Sequence, residues 1–324
     1  MGKLTTLLVA TALALFPAYS TWAADPYPAK PVRIIVPFPP GGPADVLARN
    51  VADRLSAAFG ESFFVENRPG AGGNIGMELV AKSAPDGYTL ALAPAGNLTV
   101  NPSLYRDVPY DVARDFAPVT VIAAVPNILV VNPGLPVQSV AELIRYGKAN
   151  PGKLNYSSPG SGSGAHLAGE LLKSSAGIDI VHVPYSGIAP AVTAVVAGDV
   201  QMMFAGAPSA LPQVTGGKLR ALGVASPRRI AAAPALPTLD ESGLPGFDVT
   251  SWYGIVAPAG TPPATIDRLQ REIARALDTP EMRTKLAALG AEPVANTPAE
   301  FAAMIRSETA KWSRIVKDAG IRPE

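Results

Sequence analysis

Cysteine is absent from the 324 residues, and only two histidines occur, His166 and His182. Without cysteine there is no disulfide framework, no thiolate nucleophile and no thiolate metal ligand. The two histidines are not at metal-ligating spacing, so no metal site is expected. Charge is also sparse. Charged residues make up 16%, with 27 basic against 26 acidic side chains and a formal net charge of +1. Such a balance gives no footprint for nucleic acid or an anionic membrane surface. Two motifs of covalent and nucleotide chemistry are missing as well: there is no Gly-x-Ser-x-Gly elbow and no phosphate-loop lysine. Gly160-x-Gly162-x-x-Ala165 matches the loose dinucleotide fingerprint, but the acidic residue that should end the next strand, Asp179, stands at its beginning. No cofactor is expected.

What is present begins with an export layout. Lys3 precedes an apolar run from Leu7 to Phe16, and small residues around Ala23 and Ala24 precede Asp25-Pro26. The run is far below the roughly 20 residues that cross a bilayer. Residues 1–24 are therefore expected to be a signal peptide, cleaved near Ala23 or Ala24, that delivers the chain to the periplasm. The remaining 300 residues exceed what one core usually serves, and two domains are expected.

Short β-branched runs alternate with amphipathic ones, the pattern of α/β units with parallel sheets. Strands are expected at 32–36, 62–66 and 88–93, with helices at 44–59 and 74–82 between them. The stretch Val119–Asn132 is too long for one buried strand and is broken by Pro126, which marks a crossing between lobes. A second unit follows, opening on a helix with Ser139 and Glu142 as capping box. Residues 249–257 make the return crossing. Two helices close the chain, 263–277 and 298–318, the latter with Thr297 and Glu300 as capping box and Pro298 at its first position. The expected fold class is thus α/β, with two lobes and a hinged cleft: residues 25–126 and 252–324 form the first lobe and 127–251 the second. Nothing in the pattern calls for oligomerisation, and a monomer is expected.

Two loops carry the candidate chemistry. The first strand ends in Pro37-Phe38-Pro39-Pro40-Gly41-Gly42-Pro43-Ala44-Asp45, which runs straight into a helix. Glycines admit close backbone approach, prolines stiffen the loop, and a helix start presents unpaired N–H groups to an anion. Gly42 is expected at the point of closest approach, where a valine would obstruct. The second lobe offers Ser158-Pro159-Gly160-Ser161-Gly162-Ser163-Gly164-Ala165-His166, again between strand and helix, with glycine amides and serine hydroxyls as donors. His182 reads as a structural strand residue. His166 is expected to line the cleft or to cap the helix. Each loop alone is compatible with a plain turn; one per lobe, each at the carboxyl end of a strand, indicates ligand binding.

In these loops the chain resembles the periplasmic receptors of tripartite tricarboxylate transporters, the Bug or TctC family. The resemblance rests on Tyr27-Pro28-x-x-Pro31-Val32-Arg33-Ile34-Ile35-Val36-Pro37-Phe38-Pro39-Pro40-Gly41-Gly42, on Asn67-Arg68-Pro69-Gly70-Ala71-Gly72-Gly73 and on Pro85-Asp86-Gly87-Tyr88. It continues through Asn101-Pro102-Ser103-Leu104-Tyr105, the Ser158–His166 loop, Val183-Pro184-Tyr185-x-Gly187 and Trp252-x-Gly254. It implies a type II periplasmic-binding-protein fold and capture of a small carboxylate, be it a dicarboxylate, an amino acid or an aromatic acid, for inner-membrane transporter subunits, without catalysis. By the same resemblance Phe38, Pro40, Gly41, Gly42 and Asp45 would form one wall and Ser158, Gly160, Gly162, Ser163 and His166 the other, with Asn97 and Tyr185 nearby. The chain departs from the family pattern at Ser186, often lysine, and at Gln201, often acidic. Two other readings remain open at this level: a sensory module that presents its closed form to a signalling partner, and a secreted enzyme using His166 and Asp45 as acid and base.

Overall fold

The computed structural model describes residues 27–160 and 162–321; the expected signal at 1–24 lies outside the described residues. In chain order the first strands are β1 (Val32–Val36), β2 (Phe63–Asn67), β3 (Thr89–Pro94) and β4 (Phe116–Val125), interleaved with helices α1 (Pro43–Phe59), α2 (Asn74–Ala81), α3 (Ala95–Thr99), α4 (Asn101–Leu104) and α5 (Val112–Asp115). Next come β5 (Asn127–Val131), α6 (Val140–Ala149), β6 (Leu154–Ser158), α7 (Gly164–Ala176), β7 (Ile180–Pro184), α8 (Ile188–Ala197), β8 (Met202–Gly206), α9 (Ala207–Thr215) and β9 (Arg220–Val224). The chain closes with β10 (Ser251–Pro258), α10 (Pro263–Leu277), α11 (Pro280–Ala288), β11 (Glu292–Pro293) and α12 (Pro298–Asp318).

These strands form two sheets, ordered β11-β4-β10-β3-β1-β2 and β7-β6-β8-β5-β9. In the first, β1 pairs in parallel with β2 and β3, while β10 runs antiparallel between β3 and β4. In the second, β6 pairs in parallel with β7 and β8, while β5 runs antiparallel between β8 and β9. The two patterns are the same. In each sheet the antiparallel strand is the one with which the chain arrives from the other sheet, so it enters from the opposite end. The parallel strands are covered by helices on both sides, which is why β1 (Val-Arg-Ile-Ile-Val) and β8 (Met-Met-Phe-Ala-Gly) are apolar almost throughout rather than alternating.

Pro126 separates β4 from β5, which places the first crossing where the sequence breaks. The second crossing lies beside it: Ser251 pairs with Val125, and the Asn127 side chain donates to the Val249 carbonyl at 2.6 Å. The two strands between lobes are thus tied to each other. Trp252, 1% exposed, stands at this junction with its ring edge-on to Phe301 at 5.3 Å and its indole N–H donated to Glu308 Oε2 at 2.9 Å. Burial pushes the Glu308 carboxyl above its usual range, against the opposing pull of Lys311 and the indole.

The last helix departs from the expectation that it serves the first lobe alone. Its first half buries Phe301 and Ile305 beside Trp252 and Val256 of β10. Its second half buries Trp312, Ile315 and Val316 in a cluster with Leu129, Leu143, Leu167 and Leu172 of the second lobe. Helix α12 therefore spans both lobes, a third connection beside the two crossings. By contrast α10 sends Ile266, Leu269 and Ile273 only into the first-lobe core. Among the described residues no helix is long and apolar enough to cross a membrane.

Candidate functional site at the strand edges

Parallel strands place their carboxyl ends along one edge, and open α/β sheets bind ligands there. Along that edge the first sheet gathers the loops at 37–42, 68–73 and 95–97. The second sheet gathers the segment after Ser158, the Tyr185–Gly187 turn after β7 and the Gly206–Ala207 turn after β8.

The loop after β1 is held by Asp45. Its Oδ2 accepts the Gly41 N–H at 2.9 Å and Arg49 Nε at 3.0 Å, and its Oδ1 accepts Asn67 Nδ2 at 2.9 Å. The same Asn67 amide reaches the Phe38 carbonyl at 3.0 Å. Hydrogen bonding from Arg49, with further donation from Gly41 and Asn67, holds the Asp45 carboxyl down at about 2, against the opposing effect of its burial. A carboxylate so engaged is suited to shaping the loop and unsuited to taking a proton near neutrality. Gly41 sits at φ +85°, where a side chain is strained, whereas Gly42 at φ −80°, ψ 170° has a backbone any residue adopts. The conformational demand thus falls on Gly41. Its amide is already committed to Asp45. The N–H groups left facing outward are those of the first turn of α1, at Ala44 and Asp45, since the first bond back to Gly42 comes from Val46. Phe38 is half-buried against the first-lobe core, and Pro40 is exposed.

Replacing Asp45 by alanine should therefore free the loop and expose the Arg49 charge. We expect a loss on the order of 2 kcal/mol of stability near neutral pH, because the carboxyl is lowered from 3.8 to about 2 on folding. A depressed carboxylate stabilises above its unfolded value, and its contribution disappears as pH falls from about 4 to about 2. Chemical denaturation at pH 7 and pH 3 checks this: the gap between wild type and Asp45→Ala should shrink in acid.

Asn97 lies just beyond β3, on α3, with its side chain buried against the 68–73 segment. Its Nδ2 donates to the Gly72 carbonyl at 2.8 Å, and its own carbonyl accepts the Tyr110 hydroxyl at 2.8 Å. It fastens the glycine-rich segment after β2, where a side chain at Gly73 would come within 2.5 Å of the Asn97 amide.

In the second lobe the Ser158 hydroxyl is a hub. It lies 2.6 Å from His182 Nε2, 3.0 Å from the Gly160 carbonyl and 3.2 Å from the Gly160 amide. Ser163 caps α7, its Oγ accepting the His166 N–H at 3.3 Å. His166, 7% exposed, turns its ring back over the loop so that Nδ1 accepts the Gly162 N–H at 3.0 Å. The ring stacks on His182 with centroids 3.8 Å apart and planes within 4°. The backbone of Tyr185 donates to the Ser158 carbonyl at 2.9 Å, and its half-buried ring packs on the cluster beneath β8. Gln201 stands at the opposite edge, accepting from the Asn155 backbone and side chain, so it does not reach the loops.

The two lobes meet across a cavity of about 140 Å³ lined by Pro94, Ala95, Gly96 and Thr99 from the first and Gly162, Gly164 and Leu167 from the second, with Thr250, Tyr253 and Glu308 around it. The structure brings the second-lobe loop to α3, while the Phe38–Asp45 loop lies along the same sheet edge outside this cavity. The Pro94–Gly96 turn was not singled out from sequence, although it repeats the signal used elsewhere, a strand running through glycine into a helix. A larger groove of about 780 Å³ lies between α12 and the 102–118 segment, and none of the residues of these loops lines it. Topology rather than size identifies the site. Among the described residues no group of three or more acidic or histidine side chains is placed to hold a metal.

Comparison with known proteins bears on the family and the fold. Residues 47–321 match the family model described as tripartite tricarboxylate transporter family receptor. The protein BugT of Bordetella pertussis is 41% identical over 301 residues, covering 93% of this chain and 92% of BugT. The solved structure of Rpa4515 of R. palustris with adipate is 40% identical, with a TM-score of 0.76 over 92% of this chain and all of the other. MatC of Rhodopseudomonas palustris with bound malate is 33% identical, with a TM-score of 0.72 over 90% of this chain and all of the other.

Proposed function

Because the chain belongs to the family of tripartite tricarboxylate transporter receptors, we propose that it captures a small dicarboxylate between its lobes and passes it unchanged to the membrane subunits of a transporter. The family places this periplasmic solute-binding protein among carboxylate receptors, and both adipate and malate, bound by its relatives, are dicarboxylates. The observation that carries the reading is the pairing of two glycine loops at the carboxyl edges of two sheets of the same topology. Neither Phe38–Asp45 nor Ser158–His166 contains a lysine or arginine. An acid held there is neutralised by aligned amides and hydroxyls. At about 1.5 to 3 kcal/mol for each hydrogen bond to a charged group, four or five reach the roughly 8 kcal/mol of micromolar binding after ordering costs.

The residues we assign to the ligand are Phe38, Pro40, Gly42 and the first-turn amides of α1 on one side, and Ser163, Tyr185 and the first-turn amides of α7 on the other, with Gly160 and Gly162 shaping that wall while Ser158 and His166 hold their amides. Gly41, Asp45, Asn97, Ser158 and His166 support them from behind. Residues 27–125 with 251–321 and residues 127–249 would act as the two lobes, closing about the paired crossings at Pro126 and Ser251 as a monomer, after removal of residues 1–24. Both candidate acid–base groups are engaged elsewhere, Asp45 by Arg49 and His166 by Gly162, which supports binding without turnover.

A thermal-shift and calorimetry panel of adipate, malate, a monocarboxylate, an aromatic acid and an amino acid tests the reading. At 100 times the dissociation constant the preferred dicarboxylate should add about 2.7 kcal/mol of stability. Stabilisation by the amino acid or aromatic acid alone would reassign the substrate class, and turnover of any panel member would refute the absence of catalysis.

A further inference from the structure

We propose that His166 and His182 form a paired grip that presets the second-lobe loop for its ligand without touching the ligand. The proposal rests on the reading that this loop binds a carboxylate, and it assigns the stacked rings a positioning role.

The loop needs such a grip. Gly160 at φ +134° and Gly162 at φ +77° stand in conformations that only glycine adopts readily, and glycines are the residues with the most freedom to leave them. Beside the Ser163 N–H bond to the Gly160 carbonyl, one contact from each imidazole opposes that freedom. Through Nδ1, His166 accepts the Gly162 amide; through Nε2, His182 meets the Ser158 hydroxyl that in turn engages Gly160 on both its amide and its carbonyl. The rings come from different elements, His166 from the first turn of α7 and His182 from the middle of β7, and their parallel stack at 3.8 Å makes each the other's wall. Behind them Tyr156 of β6 stands 5.0 Å from the His182 ring and 6.3 Å from the His166 ring, with its hydroxyl donated to Glu170 Oε1 at 2.7 Å. The layer Glu170, Tyr156, His182, His166 backs the loop from the buried side.

The chemistry of the acceptor is specific. Nδ1 of His166 receives an N–H, so the ring is neutral with its proton on Nε2, and a proton added at Nδ1 would oppose one donor with another. Among the described residues the titratable groups that face the pair are Tyr156, whose phenol burial holds above its usual range, Glu170 beyond it, and each imidazole toward the other. Acidification through the histidine range should therefore loosen the loop and weaken the ligand.

The test compares variants that keep the contacting atom with variants that lose it. In His166→Asn the amide oxygen takes the place of Nδ1; in His166→Leu nothing does. Likewise His182→Gln retains a nitrogen at the Nε2 position and His182→Met does not. Calorimetry with the best carboxylate of the panel should show a loss of about tenfold or more for His166→Leu and within about threefold of wild type for His166→Asn. Hydrogen exchange on the ligand-free protein should show the Gly162 amide protected in wild type and His166→Asn and unprotected in His166→Leu. Wild-type affinity should fall on acidification below about pH 6.5, and His166→Asn should flatten that profile. If His166→Leu does not fold, the His182 pair makes the same comparison through Gly160. Wild-type affinity and protection in His166→Leu would overturn the proposal, as would equal losses in the asparagine and leucine variants, which would mark the ring as a ligand contact. Failure of wild type to bind any carboxylate would count against the ligand reading alone, since the exchange experiment judges the grip without ligand.

Discussion

Valine at position 162 is expected to remove measurable carboxylate binding, a loss of about a hundredfold or more, while leaving each lobe folded. Three effects combine. The φ of +77° is strained for any side chain and most for a β-branched one. A Cβ there would stand 2.5 Å from Leu104 Cδ2, on α4 of the opposite lobe, so the leucine side chain would have to move. The displaced backbone would also withdraw the amide that His166 receives. Gly42→Val is the informative comparison. Its backbone is ordinary and its nearest neighbour is the Pro39 carbonyl at 3.9 Å, so any loss there comes from obstructing the ligand rather than from strain. Calorimetry on both, with circular dichroism as folding control, decides the order: a folded Gly162→Val that binds as well as wild type would separate this loop from the ligand.

The largest effect on stability is expected at Trp252. Truncation to alanine removes a ring that fills the junction of β10 and α12, at about 3 to 5 kcal/mol for a buried aromatic. It also strips Glu308 of its indole donor in a site where burial already disfavours the charge. That loss adds about 1 to 3 kcal/mol. The sum is on the order of 5 kcal/mol, a large part of what a domain possesses. Trp252→Phe keeps an edge-on contact with Phe301 but loses the donor and part of the ring volume, so it should cost less than Trp252→Ala. Urea denaturation of the three proteins measures this; a loss below about 1 kcal/mol in Trp252→Ala would show that the junction relaxes around the gap.

The elements that sequence disclosed were those whose signals are local. Helix α12 was legible to its ends because Thr297, Pro298 and Glu300 build a complete capping box ahead of an apolar stripe. At α6 half of that box was right: Ser139 accepts the Glu142 amide, but the Glu142 carboxylate takes the N–H of Gln138 instead of Ser139. Helix α9 escaped notice because Pro208 and Pro212 disguise it, and α11 because it is short and only Met282 and Leu286 mark its buried face. At the site, both glycine loops were visible as strand, glycine, helix. What each side chain does was not visible. Asp45 answers to Asn67, Asn97 to Gly72 and His166 to His182, and such pairings depend on strands that neighbour in space and not in sequence. The double role of α12 was hidden for the same reason, since its amphipathic stripe is continuous although its two halves serve different cores.

The placement of β10 sets an order of assembly. All five strands of the second sheet lie between Asn127 and Val224, so that sheet can form from one uninterrupted stretch of chain, although its core is completed only by α12. The first sheet cannot, because the strand at its centre, between β3 and β4, arrives only at Ser251–Pro258. Its closure joins segments far apart in sequence, and such loop closures are slow. For a chain emerging from its amino terminus, the sheet begun second is therefore completed first, and β1 to β4 wait with their middle open until the return. Refolding followed by pulsed hydrogen exchange should find protection in β6 and β8 ahead of β3 and β4.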